Sequence, residues 1–190
     1  MDNKLKIINY LGKHFQEVFT MHELSKLTQI PYATFYRTIT TMKDILELKN
    51  IGKSTTLKLK TKDPVIKAYL TISSEEEKKE FLQEQALIKK ITQELETKDI
   101  VLLFGSYAKR KENGKSDLDL LIINKEGEKT ISFSRYEIIF KKKINPIFMT
   151  IKEFKNMLND REENVGKQAL KSHIILNNPT DFWRIVFHGV

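Results

Sequence analysis

Two aspartates, Asp117 and Asp119, stand at the start of a strongly apolar run and constrain this chain more than any other feature. The stretch reads GSYAKRKENGKSDLDLLII, and every residue of 118–123 except 119 is apolar. Such a run predicts a buried strand, on which Asp117, Asp119, Leu121 and Ile123 share one face. Two like charges on one face repel each other, so we expect a cation to lie between them.

A second apolar strand and a sharp turn precede the aspartates. Residues 100–104 read IVLLF and predict a short buried strand. Gly105 permits the backbone to turn at the end of that strand, and Ser106 begins a short helix, SYAKR. The free N–H groups and the hydroxyl of such a turn suit a phosphate group. The pattern therefore predicts Mg²⁺ between the carboxylates, with the phosphates of a nucleotide completing its coordination.

This compound motif, a Gly-Ser turn followed about a dozen residues later by Asp-x-Asp on a strand, resembles the signature of the nucleotidyltransferase superfamily. That superfamily includes DNA polymerase beta and the minimal nucleotidyltransferases. The resemblance implies that Gly105, Ser106 and Lys109 bind ATP or another nucleoside triphosphate. It also implies that Asp117 and Asp119 hold Mg²⁺ and carry out catalysis.

The chain departs from the family pattern at one position. Active members use a third carboxylate on a later strand, which completes the metal site and deprotonates the attacking hydroxyl. Here the later strand is predicted as INPIFMT, and Asn145 takes that position. An asparagine cannot act as a general base. Glu137 on the preceding helix is an alternative carboxylate that we expect to face solvent, and Pro146 predicts that the strand lies at a sheet edge.

Residues 1–62 carry the pattern of three short helices and a hairpin. Thr20 and Glu23 form a predicted capping box for the second helix, and Pro31 is predicted in the first turn of the third. Gly52-Lys53 lies at the centre of an alternating apolar and polar stretch, which indicates a two-residue hairpin turn. The predicted apolar stripe of the first two helices is Leu5, Ile8, Leu11, Phe15, Leu24 and Leu27.

This segment resembles the winged helix-turn-helix domains of archaeal and bacterial transcriptional regulators. The resemblance implies that the third helix enters the major groove of double-stranded DNA and that the hairpin meets phosphate or the minor groove. The implied contacts are Tyr32, Thr34, Tyr36, Arg37 and Thr41 on the helix and Lys49, Lys53 and Ser54 on the wing. Two alternatives stay open: both tyrosines are packed, or the module serves dimerisation or protein docking.

Charge and composition limit the classes of partner, metal site and cellular location that this chain can have. The formal net charge is +8, and residues 1–62 hold 11 basic and 5 acidic residues, a difference of +6. A basic surface suits a polyanion, although 28 of the 33 basic residues are lysines, which are abundant throughout. The absence of cysteine excludes disulfides and thiolate metal sites. No apolar stretch approaches the roughly 18 residues of a membrane span, so we expect a cytoplasmic protein without a membrane partner.

The remaining segments complete an α+β organisation. We expect a winged helix-turn-helix at 1–62, a helical connector at 63–98, and a small mixed-sheet nucleotidyltransferase-like domain with carboxyl-terminal helices at 99–190. Asp63-Pro64 marks the boundary, and Ser73 or Ser74 is the predicted cap of the connecting helix. A spacer and a dimer interface are alternatives for that helix, but we expect the first helix of the next domain, because a strand starts directly after it. Its predicted apolar stripe is Phe81, Leu82, Leu87, Ile88, Ile91 and Leu95.

The tail after residue 150 predicts two or three helices. Its apolar stripe includes Ile174 and Ile175, Asn178-Pro179 interrupts it, and Thr180 or Asp181 caps the last helix. Trp183 is predicted to lie in the core, and neither His173 nor His188 has a predicted partner.

Two functions of different classes are compatible with this sequence. In the first, the chain is a DNA-binding regulator, expected to be a homodimer, whose second domain binds Mg-nucleotide or mediates assembly. In the second, it is an active nucleotidyltransferase that transfers AMP to a partner toxin of the HEPN class, as antitoxins of this family do, and regulates its own gene. The position of Asn145 favours the first.

Overall fold

The computed structural model describes residues 1–187, so His188 and the last residues of the predicted 99–190 domain lie outside the described part. The chain is α+β, with helices and two separate sheets. It divides into two compact units, Met1–Glu76 and Glu77–Val190.

The first unit contains four helices and a three-stranded sheet. Its elements are α1 (Asn3–Lys13), β1 (Phe19–Thr20), α2 (Met21–Leu27), α3 (Tyr32–Thr40), β2 (Leu46–Ile51), β3 (Ser54–Leu59) and the start of α4 (Pro64–Leu82). The sheet has the order β1-β3-β2, and all neighbours are antiparallel. Helices α1 and α2 both contact α3 and β3 and bury the core residues Ile7, Ile8, Leu11, Leu24, Phe35, Ile39 and Leu57.

The predicted order of three helices and a hairpin is confirmed. Thr20 and Glu23 form the capping box at the start of α2. Strands β2 and β3 pair from Ile51 opposite Ser54, so Gly52 and Lys53 form the two-residue turn, and Gly52 adopts a φ of 58° that favours glycine.

Three details of the first unit were predicted wrongly. Phe15 lies beyond the end of α1, and Leu27 is 45% exposed, so neither belongs to the core stripe. Pro31 is the N-cap of α3 and not a residue of its first turn. The helical periodicity identified the helices but not where each one ends, because capping and tertiary contacts set the ends.

The connecting helix begins earlier than predicted. Ser73 and Ser74 lie within α4, where both hydroxyls donate hydrogen bonds to the carbonyl oxygen of Leu70 at 3.0 and 2.8 Å. They are therefore not N-caps. The predicted stripe that follows belongs to two helices, because α4 ends at Leu82 and α5 runs from Ala86 to Gln93. All six members of that stripe belong to or pack against one core cluster of the second unit, as predicted for an apolar face.

The second unit is built on a four-stranded mixed sheet. After α5 its elements are β4 (Ile100–Phe104), α6 (Gly105–Ala108), β5 (Leu118–Asn124), α7 (Ser134–Phe140), β6 (Ile144–Thr150), α8 (Ile151–Asn159), α9 (Val165–Lys171), β7 (Ile174–Asn177) and α10 (Pro179–Phe187). The strand order is β6-β5-β4-β7. β5 and β6 are parallel, and the other neighbours are antiparallel. The edge position predicted for Pro146 is confirmed, because β6 is an outer strand.

Alternate residues of the central strands lie on opposite faces of this sheet. Val101, Leu103, Leu120 and Ile122 belong to a core cluster with side chains of α5 and α7. By strand alternation their neighbours, such as Leu121, face the other way. Helices α8, α9 and α10 contact the strands β4 to β6 and bury Phe154, Leu170, Phe182 and Trp183.

The carboxyl-terminal prediction missed a strand. Ile174 and Ile175 belong to β7, which pairs with β4, and not to a helix. Helix α10 begins at Pro179, and the side chain of Asn178 accepts a hydrogen bond from the N–H of Asp181, so Asn178 replaces the predicted caps. His173 is buried, and its Nδ1 lies 2.8 Å from the carbonyl oxygen of Ala169 at the end of α9.

In the part of the chain that the structure describes, no helix is both long and apolar enough to cross a membrane.

A capping box fixes the end of β6 to the start of α8. The N–H and hydroxyl of Thr150 donate to Oε2 of Glu153 at 2.7 and 2.8 Å, and the N–H of Glu153 donates back to the hydroxyl. The hydrogen bond from the backbone of Thr150, and then that from its hydroxyl, lower the pKa of the Glu153 carboxyl below its ordinary value.

We predict that Glu153→Gln reduces the loss of stability that the protein shows in acid. Because the pKa of Glu153 is lowered in the folded state, its stabilising effect is present at neutral pH and is lost as the pH falls through that lowered value. Urea unfolding at pH 7 and pH 3 checks this, followed by the fluorescence of the single tryptophan, Trp183, which is buried in the second unit. The exposed Glu162→Gln is the control; equal acid losses in all three proteins would contradict the prediction.

Candidate functional site

The site begins where β4 ends. Strands β4 and β5 pair with Phe104 opposite Asp119, and the chain then turns at Gly105 with a φ of 73°. A Cβ at Gly105 would clash with Oδ2 of Asp119 and lie 3.2 Å from its Cγ. Only glycine allows both the left-handed backbone and this close approach to the carboxylate. The sequence predicted the turn but not the contact behind it.

A tight turn delivers the two aspartates to the same end of the sheet. The N–H of Asn113 donates to the hydroxyl of Ser116 at 2.9 Å, and the N–H of Ser116 donates to the carbonyl oxygen of Asn113 at 3.0 Å. Asp117 follows directly and precedes β5, whereas Asp119 lies within the strand. Both carboxylates are half-buried, so each stays accessible to a ligand.

Asn145 joins the two carboxylates. Parallel pairing of β5 and β6 places Asn145 opposite Asp119, which confirms the predicted strand and the predicted position. The side-chain Nδ2 of Asn145 donates to Oδ2 of Asp117 at 3.2 Å and to Oδ1 of Asp119 at 3.3 Å. One amide group therefore offsets part of the repulsion between two like charges.

Two neighbours of Asn145 were misjudged or missed from the sequence. Glu137 does not simply face solvent, because its Oε1 accepts a hydrogen bond from the N–H of Ile144 at 2.8 Å. Lys143 was missed: its Nζ lies 3.4 Å from Oδ2 of Asp117. Lys143 stands directly before β6, as Asp117 stands directly before β5. Because these strands are parallel and begin side by side, the residues that precede them also lie side by side, and this position was the available signal.

The remaining predicted residues follow Gly105 along the chain. Ser106 is half-buried and follows Gly105 in the single turn of α6, and Lys109 is exposed at the end of that turn. Within residues 1–187 no group of three or more His, Cys, Asp or Glu side chains is placed to hold a metal. Glu137 therefore does not form a three-carboxylate metal site with Asp117 and Asp119.

Comparison with known families identifies this region. The family model described as Polymerase beta, Nucleotidyltransferase matches residues 86–181, which is just over half of the chain. The chain belongs to this nucleotidyltransferase family. The match includes β4, the Gly-Ser turn, both aspartates, Asn145 and most of the carboxyl-terminal helices. No curated protein and no solved structure matches the chain.

The chemistry available to this nucleotidyltransferase unit follows from its donor set. The two carboxylates are hard ligands of the kind Mg²⁺ takes, and Mg²⁺ is commonly held by one or two carboxylates together with substrate phosphates. The amide of Asn145 can orient both aspartates, but it cannot accept a proton as a carboxylate would. The site therefore has the groups for binding and lacks a base at the Asn145 position.

The residues predicted to contact DNA lie in the other unit. Tyr32 and Tyr36 are 46% and 50% exposed on α3, so the alternative that both are packed is wrong. Arg37 and Thr41 are also exposed, whereas Thr34 is half-buried.

The predicted wing residues are exposed as well. Lys53 and Ser54 are exposed at the hairpin turn, and Lys49 is exposed on β2, where its Nζ lies 3.4 Å from Oε1 of Glu47. Lys53, Ser54 and Tyr32 line one concave pocket with residues at the start of α2, among them His22. The turn of the hairpin and the start of α3 therefore border the same polar depression.

We predict that Gly105→Ala destabilises the second unit by about 1–3 kcal/mol, through strain at positive φ and overpacking against Asp119. The measurement is urea unfolding followed by Trp183 fluorescence. Gly114→Ala is the control in the same unit, because a Cβ there meets nothing within 4 Å. Adding Asp119→Ala to Gly105→Ala should recover the overpacking part of the cost and leave the strain. Equal stability of the Gly105 and Gly114 variants would show that this close approach is absent.

Proposed function

We propose that this chain is a DNA-binding transcriptional regulator whose nucleotidyltransferase unit binds a Mg-nucleoside triphosphate and transfers its nucleotidyl group, with release of pyrophosphate, weakly or not at all. The observation that carries the proposal is the pair of hydrogen bonds from Asn145 to Asp117 and Asp119. An amide group occupies the position where a proton-accepting carboxylate is needed, while both acidic ligands are retained.

The proposed nucleotide site uses the residues around the Gly-Ser turn. Asp117 and Asp119 would hold Mg²⁺, which when bound neutralises the charge of nucleotide phosphates. The backbone N–H groups at Gly105, which lies against Asp119, and the hydroxyl of Ser106, the next residue, would donate to a phosphate oxygen. Lys143, which lies 3.4 Å from Asp117, and the exposed Lys109 would supply positive charge. Asn145 keeps the carboxylates oriented but leaves the proton of an attacking hydroxyl without an acceptor.

The proposed DNA-binding face is the exposed side of α3 together with the hairpin. Two half-exposed tyrosines and an arginine on α3 offer stacking and guanine-reading groups, and Lys53 at the hairpin turn offers a phosphate contact. The local charge difference of +6 over residues 1–62 supports a polyanionic partner. Helix, turn, helix and hairpin follow each other in the order expected of a winged helix.

We predict that Asn145→Asp raises nucleotidyl transfer, whereas Asn145→Ala does not. General-base catalysis contributes about 10²–10⁴-fold, which sets the upper range of the gain. The assay is transfer of label from ATP to protein and RNA acceptors. A third carboxylate beside Asp117 and Asp119 also adds repulsion, so Mg²⁺ should raise the melting temperature of Asn145→Asp more than that of the unmodified chain.

Calorimetry with ATP and Mg²⁺ completes the test. Binding should be present in the unmodified chain and in Asn145→Asp, and absent in Asp117→Asn combined with Asp119→Asn. Robust transfer by the unmodified chain would reject weak catalysis and favour the second function, an active enzyme that modifies a partner toxin of the HEPN class. Absence of both nucleotide and metal binding would reject the nucleotide site, leaving assembly as the role of this unit.

We predict that Arg37→Ala weakens binding to the cognate DNA by about 1–3 kcal/mol, the range for an arginine that reads a guanine. Lys53→Ala should weaken binding to every sequence alike and reduce the salt slope by about one, as expected for one lost phosphate contact. Fluorescence anisotropy with duplex DNA from upstream of the protein's own gene, over a salt series, measures both. Arg161→Ala, at an exposed arginine of the second unit, is the control. No binding by folded protein at low salt would contradict DNA recognition.

A further inference from the structure

The peptide group between Lys143 and Ile144 is held from both sides where β6 begins. Its carbonyl oxygen accepts a hydrogen bond from the N–H of Leu118 on β5 at 2.9 Å. Because this peptide bond is trans, its N–H points the opposite way, where it donates to Oε1 of Glu137 at 2.8 Å. β6 is an outer strand of its sheet, so Glu137 supplies the acceptor that a neighbouring strand would otherwise supply.

Glu137 also ends the helix that leads to β6. Its main-chain carbonyl oxygen accepts hydrogen bonds from the N–H groups of Lys141 and Lys142, and Lys141 adopts a left-handed conformation with a φ of 49°. This pattern ends a helix at a defined residue. The turn of residues 141–143 is therefore held at both ends by one residue: by the carbonyl oxygen of Glu137 where the turn leaves α7, and by its carboxylate where the turn enters β6.

The segment that Glu137 holds carries two side chains of the candidate site. Lys143 lies 3.4 Å from Oδ2 of Asp117, and Asn145 donates to both aspartates. The N–H that Glu137 accepts belongs to Ile144, between these two residues in the chain. A displacement of this peptide group would move both side chains, because they are attached to the backbone on either side of it.

We propose that Glu137 is a positioning residue of the site, which holds the N–H of Ile144 so that Asn145 keeps its two hydrogen bonds to the aspartates. Its effect on Mg-nucleotide binding rests on the proposed function, whereas its effect on Asn145 does not. Groups that orient metal ligands from outside the ligand set typically change metal affinity by about 10–100-fold. Glu137 acts one step further away, through Asn145, so we expect an effect at the low end of this range.

The other end of β6 provides a matched control. There the N–H of Thr150 donates to Oε2 of Glu153 at 2.7 Å, which is the same kind of bond as that between Ile144 and Glu137. Thr150 lies about 16 Å beyond Asn145 along an extended strand. A role limited to stabilising β6 predicts similar effects of the two glutamates, whereas a positioning role predicts that only Glu137 affects Asn145.

Nuclear magnetic resonance of the full chain without metal tests the positioning directly. The side-chain amide signals that disappear in Asn145→Ala are those of Asn145. Glu137→Ala should shift these signals, and so should Glu137→Asp, which keeps the charge but is one methylene shorter. Glu137→Gln should leave them in place, because its amide oxygen can still accept the N–H of Ile144. Glu153→Ala should leave them in place as well.

Two outcomes of this measurement would overturn the proposal. One is an unchanged set of Asn145 signals in both Glu137→Ala and Glu137→Asp. The other is an equal shift in Glu137→Ala and Glu153→Ala, which would show that any weakening of β6 has the same effect.

Calorimetry with ATP and Mg²⁺ measures the consequence for the proposed nucleotide site. Glu137→Ala should raise the dissociation constant by about tenfold, whereas Glu137→Gln and Glu153→Ala should leave it unchanged. If the unmodified chain and Glu137→Ala bind Mg-ATP equally well, the proposal is overturned while the proposed function stands. If the unmodified chain does not bind Mg-ATP, the proposed function fails, and the Asn145 signals alone decide whether Glu137 is a positioning residue.

Discussion

The candidate site depends on the electrostatic problem of two carboxylates held at one end of a buried sheet. Asp117 and Asp119 are like charges that share one hydrogen-bond donor, so a neighbouring group has to offset their repulsion. In this chain the side-chain amide of Asn145 donates to both, at 3.2 and 3.3 Å. A neutral donor can do this without adding a charge of its own, whereas a third carboxylate in its place would increase the repulsion. The protein thereby keeps an acidic pair in a defined geometry.

The sheet topology determines which residues contact Asp119. Parallel pairing of β5 and β6 brings Asn145 beside Asp119, and antiparallel pairing of β4 and β5 brings Gly105 against the same aspartate. Asp119 is therefore fixed from both sides, by a backbone that has no Cβ and by an amide group. The N–H of Leu118 donates to the carbonyl oxygen of Lys143 at 2.9 Å, which continues the pairing to the end of β5 next to Asp117. The proposed phosphate-binding turn and the two proposed metal ligands lie at one end of the sheet, an arrangement that suits nucleotides more than apolar ligands.

The first unit differs from the second in how its core and its exposed surfaces are built. Its core is made by one side of each helix, and its exposed surfaces differ in chemistry. α3 with the hairpin presents aromatic and basic groups, whereas α4 exposes Val65 and Ile72.

Local patterns in the sequence determined much of this protein. The apolar runs identified β4 and β6 with their observed bounds, and Thr20 with Glu23 identified a capping box. The Gly-Ser turn and the aspartates indicated the candidate site. These features depend on neighbouring residues, so a sequence reveals them directly. The strand β7 was missed because its short apolar run is equally compatible with a buried helix until β4 is there to pair with it. In the same way, only tertiary structure decided that Glu137 holds the backbone of Ile144, that Lys143 pairs with Asp117, and that Asn145 touches both aspartates. Those contacts join residues from separate elements, and strand register, which no local pattern specifies by itself, determines which of them meet.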